Sequence, residues 1–337
     1  MAVVKSNAYG HGLTLVARLL ATRDSNPYSL NPRLWFGVDS IVEALRLRRE
    51  GIGQPILVLG YTLPGRYANA ARHNIILTVS SFDGLRSLAR ARQRPAFHLK
   101  LDTGMHRQGF QSGEVPELIR QLRRYGLEPQ GVYSHFAAAE NQTASGTQYG
   151  IFQQCLNKFR DAGFPLPSVH MAATGGAFLH RAPAATMVRI GLGLYGYLPN
   201  GRRGLLRPVA TWKTLVGELK IVATGEYVGY DRTERLRRKT VIAILPVGYW
   251  HGFDRGLSSI GAVLIRGRRA KVLGRVSMDM TAVGVTNISG VRIGDEAVLI
   301  GRQRRDFIGA DEVAKKIGTT AYEVLTRINP LIRRIIR

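Results

Sequence analysis

From Ala2 to about Gly196 the chain alternates short β-rich runs with helical patterns, and no other feature narrows its fold as much. Such alternation lays parallel strands side by side and covers them with helices. The β-rich runs are residues 2–5, 34–38, 55–60, 75–79, 96–101, 131–135, 168–172 and 187–192. Eight runs predict an α/β fold of the (β/α)8 TIM-barrel type. Helical stretches fall between them, such as 40–50, with Ile41, Leu45 and Leu47 facing inward, and 82–92. Only seven helical segments fit between eight strands, so the helix that should close the ring is expected to be missing from this sequence.

Past Leu198 the pattern changes to closely spaced β runs with Gly and Pro turns, at 212–221, 241–246, 262–265, 270–278 and 296–300. A helical piece at 310–317 and a tail at 322–331 follow. Two domains are expected: a barrel over residues 1–200 and a mainly β domain over 201–337. At 337 residues and 45% hydrophobic content the chain can bury cores of that size. No apolar run approaches the ~18 residues of a membrane span, and the N-terminus lacks the succession of a signal peptide. The single cysteine, Cys155, excludes an internal disulfide and fits a reducing compartment. No metal-ligand spacing is evident.

The formal charge of +25 is the one property that points toward nucleic acid or another anionic surface. Its distribution weakens that reading. Arg46, Arg48 and Arg49, then Arg120, Arg123 and Arg124, then Arg235, Arg237 and Arg238, then Arg302, Arg304 and Arg305 spread it along the whole chain. No nucleic-acid-binding motif accompanies them, so a solvated, arginine-biased surface is expected and nucleic acid is not the expected partner.

In a barrel of this type, chemistry gathers where strands run out at their C-terminal ends. Lys5 ends the first run, Lys100 and Arg107 bracket the exit of the fifth, His135 ends the sixth, Thr174 follows the seventh and Arg189 sits on the eighth. A lysine after an edge strand is ordinarily a solvated group. At the end of a buried strand, however, its amine loses hydration, which favours the neutral form and a Schiff base with an aldehyde.

Val-Lys-Ser-Asn-Ala-Tyr-Gly-His-Gly at 4–12 resembles the pyridoxal 5'-phosphate attachment motif of alanine racemases. Five more segments are similar to that family: His98 to Phe110, Gly131 to Phe136, Met187 to Gly196, Glu226 to Thr233 and Gly274 to Met280. The resemblance implies a pyridoxal phosphate enzyme interconverting L- and D-alanine by a two-base mechanism, with Lys5 serving one face of the α-carbon and Tyr230 the other. A free phenol ionises near pH ~10, and Arg189 and His135 are expected to assist Tyr230 through hydrogen bonds. The resemblance also assigns a carbamylated Lys100 that orients Arg107, with Arg107 contacting substrate and cofactor. Without that modification the two cations would repel. Arg189 would face the pyridine nitrogen with His135 orienting it, and a guanidinium, which keeps its proton, makes the ring a weaker electron sink.

For the cofactor phosphate the family nominates Tyr9, Thr174, Tyr322 and the backbone at Gly191 and Leu192. One departure stands out: the family often reads His-x-Ala-Asn-Ser where this chain has His-Met-Ala-Ala-Thr at 170–174, so Ala173 offers no amide. Met278 is expected to meet the substrate carboxylate through its N–H, and Tyr249 to line substrate access. In the family Tyr230, Met278 and Asp279 arrive from the other subunit of a head-to-tail homodimer. Family chains also place a strand and the ring-closing helix before the first barrel strand, so a misplaced start is expected here. Cytoplasmic supply of D-alanine for cell-wall precursors is the role the family suggests. The alternatives are a serine or broad-specificity racemase on the same scaffold, and a non-catalytic pyridoxal phosphate carrier or polyanion-binding protein.

Overall fold

The computed structural model describes residues 1–24, 34–179, 185–199 and 205–336. The chain divides into two compact units, the first built mainly from Met1–Ala8 and Gly12–Leu194, the second from Tyr9–His11, Tyr195–Tyr197 and the chain from 205 onward. The domain boundary expected at residue 200 lies outside the described residues.

In the first unit parallel strands run β1 (Ala2–Val3), β2 (Phe36–Val38), β3 (Ile56–Val58), β4 (Ile75–Val79), β5 (Phe97–Asp102), then past the short β6 (Phe110–Gln111) to β7 (Gly131–Tyr133) and β8 (Val169–His170). Each pairs with the next in that order, except that β5 pairs with both β6 and β7. Strands β2, β3 and β4 are buried at every position, as expected for a sheet covered on both faces. Seven right-handed helices follow strands among the described residues. Helix Ile41–Arg49 starts at Ser40, whose hydroxyl accepts the Glu43 N–H, and it buries Ile41, Ala44 and Leu47. Leu45, expected inward, is only half-buried, and Ala44 is buried instead, the i, i+3, i+6 spacing of Ile41, Ala44 and Leu47 defining the inner face.

The eighth run, 187–192, is not a strand. Only Ile190 pairs, as a single parallel bridge to Ala2, with Val3 N–H donating to Ile190 O at 2.8 Å and Ile190 N–H to Met1 O at 2.9 Å. On its other side Arg189 N–H donates to Ala172 O at 2.9 Å, so the ring of parallel segments still closes. Gly191 and Gly193 turn the chain away directly afterwards, which leaves no length for a ladder.

The second unit is an antiparallel sheet. Its strands are β9 (Trp212–Leu215), β10 (Glu218–Val222), β13 (Thr240–Leu245), β14 (Ala262–Ile265), β15 (Arg268–Val272), β16 (Thr281–Gly284), β17 (Glu296–Gln303) and β18 (Asp306–Ile308), with β11 (Tyr227–Val228) and β12 (Glu234–Arg235) forming a separate ribbon. The single strand expected over 212–221 is two: β9 pairs with β17 and β10 with β13. The strand expected over 270–278 stops at Val272, because Gly274 takes a positive φ and carries the chain out of the sheet. Helix Ala310–Ile317 forms where its pattern places it. None of the described helices is long and apolar enough to cross a membrane.

Candidate active site

Lys5 does not sit in a strand. Strand β1 ends at Val3, and Ser6, Asn7, Ala8 and Tyr9 follow with φ between +51° and +56°, a left-handed turn. For residues with a side chain that conformation costs about 1–2 kcal/mol each, so it needs fixed partners. Asn7 supplies several: its N–H donates to Glu43 Oε1 at 3.1 Å, its Oδ1 accepts the Leu13 N–H at 2.9 Å and its carbonyl the Gly12 N–H at 2.9 Å. Glu43 also accepts the Asp39 N–H through Oε2 at 2.9 Å, so one carboxylate ties the turn after β1 to the turn after β2. Contrary to the buried amine expected from the sequence, the Lys5 side chain is 38% exposed and pairs with Asp39 at 3.4 Å. The left-handed turn lifts it off the apolar strand end that buries Val4.

Lys100 lies inside β5 rather than at its exit and is 6% exposed. Burial pushes its amine well below the usual lysine range, with Arg189 and Arg107 adding to the effect and Asp102 opposing it. Its Nζ stands 4.6 Å over the Tyr133 ring. The repulsion expected between Lys100 and Arg107 is therefore the smaller matter, because desolvation already favours the neutral amine. Arg107 is exposed on a loop shaped by Asp102, whose Oδ1 accepts the N–H groups of Gly104, Met105 and His106 at 3.0 Å each. Gly109 closes that loop at φ +128°, and a Cβ there would fall 2.7 Å from the Asp102 nitrogen.

Arg189 is 3% exposed, and the acceptors described for its guanidinium are neutral groups of its own unit. Its Nη2 donates to Ser134 O at 2.7 Å, Met171 O at 2.8 Å and His135 Nδ1 at 2.9 Å, and its Nη1 to His170 Nδ1 at 2.5 Å. Burial brings its pKa down to about 10, which leaves it charged at neutral pH. His135 follows β7 and is pushed down to about 2, first by burial and then by Arg189, Lys100, Arg107 and Lys5. Four basic side chains therefore bear on one imidazole. Four of the strand-end groups singled out from the sequence, with Lys5 among them, are thus brought together around a fifth.

Thr174 is buried, and its hydroxyl oxygen accepts the N–H groups of Gly191 and Gly193 at 3.2 Å each. That engages the Gly191 N–H and leaves the hydroxyl proton of Thr174 to donate elsewhere. Leu192 is buried at the start of the turn Leu192–Tyr195. Tyr9 and Tyr322 both belong to the second unit, with ring centroids 5.9 Å apart, and burial together with Tyr322 raises the Tyr9 phenol to about 12.

The second unit gathers another set. Tyr230 opens the turn Tyr230–Arg232 between β11 and β12 and is 68% exposed. An ion pair from Asp231 to Arg275 at 3.2 Å ties that turn to the 274–280 segment. In the same segment Ser277 O and Met278 O accept the Tyr249 and Trp250 N–H groups at 3.0 Å each. Tyr249, Trp250, Met278 and Met280 are all exposed beside it. Arg235, Arg237, Arg238, Arg269 and Lys271, dispersed in sequence, line one groove of this unit, although Arg269 is held by Asp306 and Glu312 and Lys271 by Glu234.

Sequence reasoning passed over Asp39, Glu43, His98 and His170. Glu43 had a signal, since it stands three residues after the capping Ser40. The histidines had none, because nothing local distinguishes a core imidazole from a working one.

Comparison with known proteins matches residues 1–199 to the family "Alanine racemase, N-terminal domain" and 209–336 to "Alanine racemase, C-terminal domain". Alanine racemases of Symbiobacterium thermophilum and Desulfosudis oleivorans are 38% and 35% identical, each over 99% of this chain and 89% of the relative. The crystal structure of alanine racemase from Bacillus anthracis with bound L-Ala-P superposes with a TM-score of 0.88 at 32% identity, covering 97% of this chain and 85% of that one. That from a D-cycloserine-producing Streptomyces lavendulae does so with 0.88 at 31%, covering 98% and 88%.

Proposed function

The chain belongs to the alanine racemase family and interconverts L-alanine and D-alanine; we propose that it does so with pyridoxal 5'-phosphate and with Lys5 and Tyr230 as its two proton-transferring groups. The observation that carries this reading is the gathering of basic groups about His135: Arg189 donates to it at 2.9 Å, and Lys100, Arg107 and Lys5 lie near enough to help hold its pKa down. A site in which the charges of Lys5, Arg107 and Arg189 face two carboxylates, Asp39 on Lys5 and Asp102 near Lys100, suits a ligand carrying a phosphate and a substrate carrying a carboxylate. The donor set fits pyridoxal phosphate: an accessible amine at Lys5, a hydroxyl proton at Thr174, and guanidinium N–H groups at Arg189 beyond those engaged by Ser134, Met171, His135 and His170. Bound there, the cofactor would supply an aldehyde for amines and an electron-withdrawing ring that acidifies the substrate Cα–H.

The chain's own residues do the rest. Lys5 holds the cofactor and moves a proton at Nζ on one face of Cα, while the Tyr230 phenol does so on the other. Arg189 orients the cofactor ring without giving up its proton. Arg107 and the Met278 N–H bind the substrate carboxylate, and Tyr249 lines the approach. Thr174, the Gly191 and Leu192 backbone, Tyr9 and Tyr322 serve the phosphate. The desolvated Lys100 amine attacks carbon dioxide and loses a proton to become a carbamate, an anion that orients the Arg107 guanidinium. The exposed patch of Tyr230, Tyr249, Trp250 and Met278 supports a homodimer in which each chain offers it to the other. We place this activity in the cytoplasm, supplying D-alanine, with the functional division at residues 1–200 and 201–337.

Incubation of the purified protein with single L-amino acids in deuterium oxide, followed by chiral analysis, tests the reading. D-alanine carrying deuterium at Cα is expected. Failure to produce it after reconstitution with pyridoxal phosphate refutes the proposal, and faster turnover of serine moves the substrate assignment.

A further inference from the structure

Arg189 is a buried cation with no carboxylate paired to it among the described residues, so its charge must be accommodated by neutral groups. A guanidinium carries only donors, which obliges every nitrogen it meets to present a lone pair. The contact between Arg189 Nη1 and His170 Nδ1 at 2.5 Å therefore fixes His170 as the tautomer with its proton on Nε2. That Nε2 lies 3.0 Å from His98 Nδ1, so His170 donates and His98 accepts. His98 in turn keeps its own proton on Nε2, the atom with no hydrogen-bond partner among the described residues. Reversing either ring would set N–H against N–H at one of these two contacts.

The packing around the chain resists such a reversal. The Tyr133 ring stacks on His170 at 4.7 Å and 9°, and both histidines are fully buried. Gly131, the register partner of His98 across β5 and β7, leaves the imidazole its space: a Cβ at that position would lie 2.6 Å from His98 Cε1. Burial and the neighbouring Arg189 keep both rings neutral, His98 being pushed down to about 3 and His170 well below the usual range.

We propose that His98 is a positioning residue for the reaction: by accepting the His170 Nε2 proton it holds His170 as a lone-pair partner of Arg189, and the oriented chain Arg189–His170–His98 aims the guanidinium. The proposal rests on the role given to Arg189 above, whereas the direction of the chain is a property of the protein alone.

The test is long-range nitrogen–proton correlation NMR on the holoenzyme labelled at histidine, together with kinetics of two variants. In the wild type, His170 and His98 are expected as pure Nε2–H tautomers. His98→Gln keeps an acceptor in reach and is expected to preserve the His170 pattern. His98→Leu removes the acceptor; His170 should then lose its single-tautomer signature, and kcat should fall about tenfold with KM within about twofold, the scale of one lost hydrogen bond. His170 found protonated on Nδ1, or an unchanged His170 spectrum and kcat in His98→Leu, overturns the proposal. Should His98→Leu fail to fold, the wild-type tautomers test the direction of the chain and His98→Gln tests the positioning role: kcat within about twofold of wild type with the His170 tautomer kept supports it, and a kept tautomer with kcat lost about tenfold or more overturns it. A protein that shows the expected tautomers yet makes no D-alanine keeps the chain's direction and loses the racemase reading. Racemisation with the opposite tautomers does the reverse.

Discussion

The surroundings of Arg189 and the turn bearing Tyr230 are two halves of one proposed chemistry built in opposite ways. Arg189 is shut away, every neighbour in the contacts described above belongs to its own unit, and its charge is met by carbonyls and imidazoles rather than carboxylates. Tyr230 stands two-thirds exposed on a small ribbon that packs through Val228 and Leu236 on Ile242 and Leu273, with Val222, Ile244 and Ala282 beside them. The first is preorganised by burial, where each unmet polar group costs about 1–3 kcal/mol and therefore rarely persists. The second is oriented by surface ion pairs, Asp231 to Arg275 and, on β12, Glu234 to Lys271, each of the kind worth about 0–1 kcal/mol. A fully formed pocket needs no help to hold its shape, whereas an exposed phenol acquires a defined environment only from something placed over it.

The largest effect that would break this contrast is loss of the exposed half. Tyr230→Phe is expected to lower racemisation by roughly 10²–10⁴-fold, the range of a general acid–base group, while the cofactor stays bound. Because the two enantiomers are equally stable, both directions must fall together, yet exchange of the α-proton with deuterium oxide should survive for the enantiomer served by Lys5. Equal exchange from both enantiomers at wild-type rates would remove the two-base scheme. Next in size is dilution: if a second copy covers the ribbon, specific activity should drop as the dimer dissociates, and amide exchange over 227–235 should speed up in parallel. Activity independent of concentration, with a monomer by light scattering, would leave Tyr230 without its proposed place.

The buried half is probed by acid. His98, His135 and His170 are neutral in the fold at neutral pH, with pKa values below the ordinary 6.5, so between that value and the lowered pKa of each ring the unfolded chain binds more protons than the folded one. Stability present above pH 6.5 is therefore lost as the pH falls toward about 3, by about 1.4 kcal/mol per pH unit for each histidine. Denaturant titrations at a series of pH values measure the slope, and a flat profile contradicts the buried network. The smallest expected effect is that of Glu43→Gln, which weakens one N–H bond from the left-handed turn and one from the turn after β2 and should cost about 1–2 kcal/mol in stability, read from the denaturant midpoint. An unchanged midpoint would mean the turn holds itself.

Much of this was legible along the chain. Periodicity located β4 and helix Ala310–Ile317 to the residue, and the β-rich runs marked Lys5 and His135 at their ends and Arg189 within the eighth. Legibility failed wherever the deciding contact was distant. The 212–221 run reads as one strand because both halves are β-rich, and only its two different partners, β17 and β13, divide it. Residues 187–192 read as a strand because Val188, Ile190 and Leu192 alternate, although a single bridge suffices to close the ring. Lys5 reads as buried because its left-handed turn is imposed by Glu43, 36 residues beyond Asn7.

Family membership, the barrel and its appended β domain, and the residue types at the strand ends were determined by the sequence, since they follow from local periodicity and contiguous motifs. The tertiary structure alone decided the direction of the hydrogen bonds. His98 and His170 lie 72 residues apart, and His170 and Arg189 lie 19 apart. Which of their nitrogens holds a proton is set by a buried guanidinium that can only donate, and that constraint exists only once folding has brought the three side chains into contact.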